Sequence, residues 1–256
     1  MQMCYSDVMI KAIIFDKDGT LFNYADFWGP IVSRNSIIGF RRFNISEEMA
    51  DDLAYSFEKT FGVDRNRVNH PEGILFRHDK ILSGIMRVSL KSIRNGLNPF
   101  KVVKVLMNLM DHVNIDRDIE AYDFPPVAPL FRALKDRGYI IGVVTNDMSE
   151  NTMKFLKAMH IDRMVDFLRC RDSGCLNKPN PDSIRELCRS YRLDPSEVCM
   201  VGDTKIDMKF GKNGKVGYRI AVLSGCGDEP LLRRNSDVVY PTVLDLAGDP
   251  VLFPER

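Results

Sequence analysis

The chain lacks what would send it to a membrane, to nucleic acid or to an oxidising compartment. Its longest apolar runs, such as Tyr139 to Val144, fall far short of the roughly 20 residues of a membrane span. Net charge is only +1 with 28% charged residues and no basic tail, so no field is aimed at nucleic acid. The six cysteines (Cys4, Cys170, Cys175, Cys188, Cys199 and Cys226) form no Cys-x-x-Cys pair, and no histidine spacing completes a zinc site. Cys188 and Cys199 fall in apolar contexts, so the thiols read as reduced and mostly buried, which fits a cytoplasmic protein. Met1 to Met9 has neither the basic nor the apolar region of a secretory signal; it reads as a loose leader, with Met9 an alternative start.

What the chain has is a pair of carboxylates where a buried strand ends. Ala12-Ile13-Ile14-Phe15 reads as a short strand covered on both faces, and Asp16-Lys17-Asp18-Gly19-Thr20 follows at once. Strand side chains alternate, so Asp16 and Asp18 can enter one pocket while Lys17 points away. Gly19 lets the chain leave the strand. Ligands of open α/β sheets bind outside the carboxyl ends of strands, where this pair falls. The same pentapeptide also reads as a solvated Asp-Gly turn, so later segments have to decide.

At 256 residues the chain fits one large domain or a domain with an insert, and it can bury roughly 70–75% of its unfolded surface. Residues 23–123 carry helical patterns only. Helices are expected over about Asp26 to Phe43 and Glu47 to Phe61, over Ile81 to Ile93 ending near Asn95-Gly96, and over Val102 to Val113 after Pro99. From residue 124 onward strand and helix alternate. Strands are expected at Tyr139 to Val144, Val165 to Leu168, Val198 to Val201, Arg219 to Leu223 and Asp237 to Tyr240. Helices are expected at Val127 to Arg137, Glu150 to Met159, Ser183 to Tyr191 and Lys205 to Lys212. Such alternation predicts an α/β fold: a Rossmann-like, mainly parallel sheet with helices on both faces. The first strand finds partners only in this last part. Residues 10–22 plus 124–256 are therefore expected to form the core, with 23–123 inserted as an all-helical cap.

Three further segments stand at expected strand ends. Thr145-Asn146 offers a hydroxyl and a backbone N–H that can hold an anion's oxygens, and Asp147 with Glu150 has capping-box spacing. Lys178 stands before Asn180-Pro181, which fit an N-cap and a first helical position. Asp203 follows the strand Val198 to Val201, and Asp207 lies one helical turn on. Each also has a plain structural reading: a turn, a surface lysine, and a helix cap with Asp207 in its solvated first turn. Together, though, they bring Asp16, Asp18, Asp203 and Asp207 to one sheet edge with Thr145 and Lys178. Four converging carboxylates would repel, raising some pKa values, unless a cation sits among them. Oxygen ligands without histidine or cysteine point to Mg²⁺.

In this order the segments resemble the four motifs of the haloacid dehalogenase (HAD) superfamily phosphatases. These are Asp-x-Asp-Gly-Thr (16–20), a Thr/Ser at a strand end (145), a Lys (178) and Gly-Asp-x-x-x-Asp (202–207). The regions that carry them span 10–22 and about 124–225, and the insert resembles that family's C1 cap. The wording Lys-Pro-Asn-Pro-Asp and Gly-Asp-Thr-x-x-Asp-Met most resembles the phosphoglycolate phosphatase-like branch. The resemblance implies Asp16 as a nucleophile that becomes an aspartyl phosphate, and Asp18 as acid and then base. It implies metal ligation by Asp16, the Asp18 backbone carbonyl and Asp203, with Asp207 in support. Lys178 would join Asp16 to the phosphoryl group, and Thr145 with the Asn146 amide would hold its oxygens. The partner implied is a small phosphorylated metabolite, with no nucleic acid and no membrane.

Alternatives remain open at this level. A sugar-phosphate mutase of the β-phosphoglucomutase type shares these residues and differs in its cap. A haloacid dehalogenase is disfavoured by Asp18 with the following Gly-Thr, and a phosphonate hydrolase would need a reactive cap lysine. A non-catalytic binding protein on the same fold should have lost one of the key residues, and none is lost. Gly211, Gly214 and Gly217 precede no Gly-Lys-Ser/Thr and read as helix-end and turn glycines. Basic residues of the insert, from Arg34 to Arg87, are the candidates for reading the substrate beyond its phosphate.

Overall fold

The computed structural model describes residues 9–43, 45–60, 63–64, 67–68, 86, 88–102, 104 and 115–254. The chain divides into two compact units, one built from Met1–Asn23 and Ile119–Arg256, the other from Tyr24–Asp118. In chain order the strands are β1 (Ala12–Phe15), β2 (Val63–Asp64), β3 (Arg67–Val68), β4 (Ile140–Val144), β5 (Phe167–Arg169), β6 (Val198–Gly202), β7 (Tyr218–Val222) and β8 (Val238–Tyr240).

The first unit holds a six-stranded sheet in the order β5-β4-β1-β6-β7-β8. Every pairing in it is parallel. The four residues of β1 are fully buried because strands lie on both its edges and helices cover both its faces. That is why its sequence is an unbroken apolar run. From β1 the chain runs outward to β4 and β5, returns to β6 on the other flank of β1, and runs outward again to β7 and β8. The order therefore reverses between β1 and β6, and such a switch point opens a crevice at the carboxyl ends of the strands. On one face Ile14, Val144 and Met200 pack with Ile184, Leu187 and Phe210 from the crossover helices. On the other, the Phe15 and Phe131 rings lie 4.9 Å apart.

The helices Val127–Asp136, Ser149–Ala158, Asp182–Tyr191 and Lys205–Gly214 fall within about two residues of the expected positions. The last runs two residues past Lys212, to Gly214, which packs against Ile184. Gly211 and Gly214 thus belong to the helix body.

The second unit is built on the helices Tyr24–Arg41 and Glu47–Thr60. Phe40, Ala50, Leu53, Ala54, Phe57, Val88 and Val102 form its core. Pro99 opens a helical segment as expected, and the Asn98 side chain caps it by accepting from the backbone N–H groups of Phe100 and Lys101. One feature departs from an all-helical insert: β2 and β3 pair antiparallel, Val63 with Val68 and Asp64 with Arg67. Two-residue strands carry no period that a sequence pattern could reveal. The leader Met1 to Val8, residues 81–85 and 87, and most of the helix expected over Val102 to Val113 lie outside the described residues; residues 88–94 are helical and end at Asn95-Gly96, as expected. No helix among the described residues is long and apolar enough to cross a membrane.

Candidate active site

The sheet's carboxyl edge carries most of the side chains singled out above. Asp16 follows β1, Thr145 follows β4, Asp203 follows β6, and Lys178 comes from the segment after β5. All four are buried, as is Asp207 in the first turn of the helix after β6. One carboxylate oxygen from each of Asp16, Asp203 and Asp207 lies within 4.8 Å of the others. Lys178 Nζ donates to Asp16 Oδ1 at 2.5 Å and to Asp207 Oδ1 at 2.7 Å. Asn146 is half-buried, and its Oδ1 accepts from the Lys178 backbone N–H at 3.2 Å.

Crowding in this crevice sets the ionisation of its groups. Burial pushes the Asp16 carboxyl up to about 7; Lys178 opposes this, while the charges of Asp207 and Asp18 reinforce it. Burial also holds Asp203 well above the usual carboxylate range, with Asp207 and Asp16 adding to it. For Lys178 burial works the other way, but the charges of Asp16 and Asp207 outweigh it and keep the ammonium group firmly protonated. Three buried carboxylates face one buried ammonium here. Such an excess of charge is costly unless a cation balances it. The donor set is all oxygen, held by a rigid sheet edge, and fits a hard divalent ion.

Neighbouring groups orient these carboxylates. Thr204 and Asp207 form a reciprocal capping box, in which Asp207 Oδ2 accepts from Thr204 N at 3.1 Å and from Thr204 Oγ1 at 2.5 Å. Asp207 is therefore a buried cap partner and not a solvated first-turn residue; its other oxygen is turned to Lys178. Thr20 Oγ1 donates to Asp203 Oδ1 at 3.3 Å, and the Cys226 backbone N–H donates to Asp203 Oδ2 at 2.9 Å. Ser224 Oγ donates to the Gly19 carbonyl at 2.8 Å. Gly19 adopts φ +82°, and a Cβ on it or on Gly225 would run into the Asp203 carboxylate. The turn Ser224-Gly225-Cys226-Gly227 was not singled out from sequence, although a glycine-rich stretch after a strand was a visible signal.

The structure differs from several local expectations. Asp18 does not share its carboxylate with the buried acidic cluster while Lys17 points away. Lys17 is fully buried, with Nζ 2.6 Å from Asp18 Oδ2 and 3.1 Å from Asp147 Oδ2. Period-two alternation needs an extended backbone, and here the chain turns at once, with the Thr20 and Leu21 N–H groups donating to the Lys17 carbonyl. Asp147 makes no capping box with Glu150; Met148 is the N-cap, and Asp172 accepts from Ser149 N and Oγ instead. Pro181, not Asn180, takes the N-cap position, and Asn180 Oδ1 accepts from Asp182 N at 3.0 Å. In the insert, Arg34 is paired bidentately with Asp118 at 2.8 Å, so its guanidinium is already engaged. Arg65, Arg77 and Arg87 lie outside the described residues.

With this geometry in view, the comparisons with known proteins agree on its class. The family model of the haloacid dehalogenase-like hydrolases matches residues 10–215, and the chain belongs to that family. PpaX of Clostridium perfringens, named for pyrophosphatase activity, is 27% identical over 206 residues, 80% of either chain. The phosphoglycolate phosphatase of Aquifex aeolicus is 22% identical over 213 residues, covering 83% of this chain and 85% of that one. A crystal structure from Haemophilus somnus, described as a predicted phosphoglycolate phosphatase, superposes with a TM-score of 0.64 at 19% identity. That match covers 96% of this chain and 99% of the other, and it speaks for the fold alone.

Proposed function

We propose that this protein is a Mg²⁺-dependent phosphatase that hydrolyses a small phosphomonoester through an aspartyl phosphate on Asp16. The observation that carries the reading is the buried set Asp16, Lys178, Asp203 and Asp207 at the switch point of the sheet. Asp16, the Asp18 carbonyl and Asp203 would hold the Mg²⁺, with Asp207 in support. When bound, the ion offsets the negative charge of phosphoryl oxygens and carboxylates.

An Asp16 oxygen attacks phosphorus and the ester P–O bond breaks. Asp18 passes a proton to the leaving oxygen and then takes one from the water that attacks the aspartyl phosphate. Inorganic phosphate leaves, with Asp16 and Asp18 restored. Lys178 and Thr145 Oγ1, with the Asn146 N–H, hold phosphoryl oxygens, which is charge stabilisation and in-line positioning. Free cysteines at 170, 175, 188, 199 and 226 fit a reducing compartment such as the cytoplasm.

The test is phosphate release by the purified protein with Mg²⁺, over a panel of small phosphate esters including phosphoglycolate and sugar phosphates. Sugar-phosphate isomerisation is followed in parallel. Asp16→Asn should lower release by at least about 10³-fold, the scale expected when a nucleophile is removed, with an unchanged circular dichroism spectrum. Comparable turnover by the variant would refute the nucleophile; isomerisation without release would identify a mutase.

A further inference from the structure

We infer that Lys17 is a positioning residue for this reaction: its ammonium group holds the Asp18 carboxylate and ties the turn after β1 to the Thr145–Asp147 turn after β4. The inference rests on the phosphatase reading above. Lys17 has no exposed surface. Its Nζ lies 3.9 Å from the Phe155 ring centroid and 5.5 Å from that of Phe22. Those two rings stack at 5.0 Å with an interplanar angle of 2°. An apolar side chain would fill such a slot without the cost of desolvating an ammonium ion. What the lysine adds is its two ion-pair contacts, 2.6 Å to Asp18 and 3.1 Å to Asp147.

The Asp147 end links Lys17 to the phosphate-binding residues. Asp147 N donates to Thr145 Oγ1 at 3.1 Å, and Asp147 Oδ1 accepts from Met148 N at 2.7 Å. Asp147 Oδ2 and Lys17 Nζ are both buried and neither makes a hydrogen bond, so the contact between them is an ion pair by charge and distance. One ammonium group thus spans the turn that carries Asp18 and the turn that carries Thr145. It fixes where the Asp18 carboxyl stands relative to a phosphoryl group held at Thr145. A displacement of about 1 Å at such a group costs on the order of 10²-fold in rate.

The experiment compares kcat/KM for an alkyl ester, phosphoglycolate, with kcat/KM for 4-nitrophenyl phosphate. The alkoxide needs a proton from Asp18 as it leaves; the nitrophenolate does not. Wild type, Lys17→Met, Asp147→Asn, the double variant and Asp16→Asn are measured together. Lys17→Met should lower the alkyl value at least tenfold more than the aryl value. Asp147→Asn should shift the ratio in the same direction, and the double variant should be no worse than Lys17→Met alone. A purely structural role predicts equal losses on both esters, tracking the folded fraction, and that result overturns the inference, as do losses that multiply in the double variant. If Lys17→Met does not fold, Asp147→Asn decides: a ratio moved threefold or more supports the tie, and an unmoved ratio refutes it. Asp16→Asn reads the parent assignment separately, since full activity there would bring down the phosphatase reading and this inference with it.

Discussion

Asp16 carries two loads that pull its ionisation in opposite directions. A nucleophile has to be ionised, yet burial holds its pKa near 7 against an ordinary 3.8. The consequence for stability has a definite sign. Between about pH 4 and pH 7 the folded, metal-free protein keeps a proton on Asp16 that the unfolded chain has lost. The stabilising contribution is therefore whole below about pH 4 and disappears as pH rises through about 7. Thermal midpoints of metal-free wild type, taken relative to Asp16→Asn, should fall across that window, and Mg²⁺ should abolish the fall. A pH-independent difference between the two proteins would count against the assignment. The chemical types at 16, 145, 203 and 207 were legible from sequence because each follows or flanks a local strand signal, and Lys178 because a helix-start signal follows it. Lys17 was misplaced because its environment is supplied by Phe22, Asp147 and Phe155, and two of these lie far along the chain.

Among the elements, the helix Lys205–Gly214 shows how one residue serves structure and site together. Its N-cap Thr204 and the N3 residue Asp207 satisfy each other's backbone N–H groups, and the same Asp207 receives Lys178. Of the structural reading of this turn the helix cap is present, but Asp207 is buried in it and not solvated. Thr204→Ala should cost about 1 kcal/mol of stability, the usual worth of an N-cap. By freeing Asp207 Oδ2 it should also weaken Mg²⁺ binding in a calorimetric titration. Unchanged Mg²⁺ affinity would separate the cap from the site. Caps were the weakest part of the sequence reading: Asp147–Glu150 has the spacing of a capping box, but Lys17 engages Asp147 and Asp172 serves the helix. Spacing shows that two groups can meet, whereas longer-range partners decide whether they do.

For the molecule as a whole, Asp249 fastens the segment after β8 to tyrosines of β7 and β8. This fully buried carboxylate accepts from the Tyr218 and Tyr240 hydroxyls, each at 2.9 Å, and from Val251 N and Leu252 N at 2.9 and 2.8 Å. Asp249→Ala strands four donors, two of them in fully buried hydrogen bonds, and should cost about 3 kcal/mol, read as a lowered urea midpoint. Below the transition its kcat per folded molecule should equal that of wild type, because none of these groups belongs to the site. A large kcat loss with unchanged stability would contradict this. Nothing near Asp249 in the sequence announces the role, since its partners on β7 and β8 meet it only in the fold.

Local pattern determined the α/β class, the boundaries of most core elements and the chemical types at the strand ends. Buried strands, helix periods and chain-breaking residues are properties of short stretches, and a short stretch can be read in isolation. Tertiary structure alone decided that β1 lies between β4 and β6, which brings Asp16 to Lys178 across 162 positions and Thr20 to Asp203 across 183. It also decided that Lys17 is buried against Phe155 and that the turn at Ser224–Gly227 closes over Asp203. Strand order and long-range burial depend on how whole faces pack, and no window of sequence contains both partners.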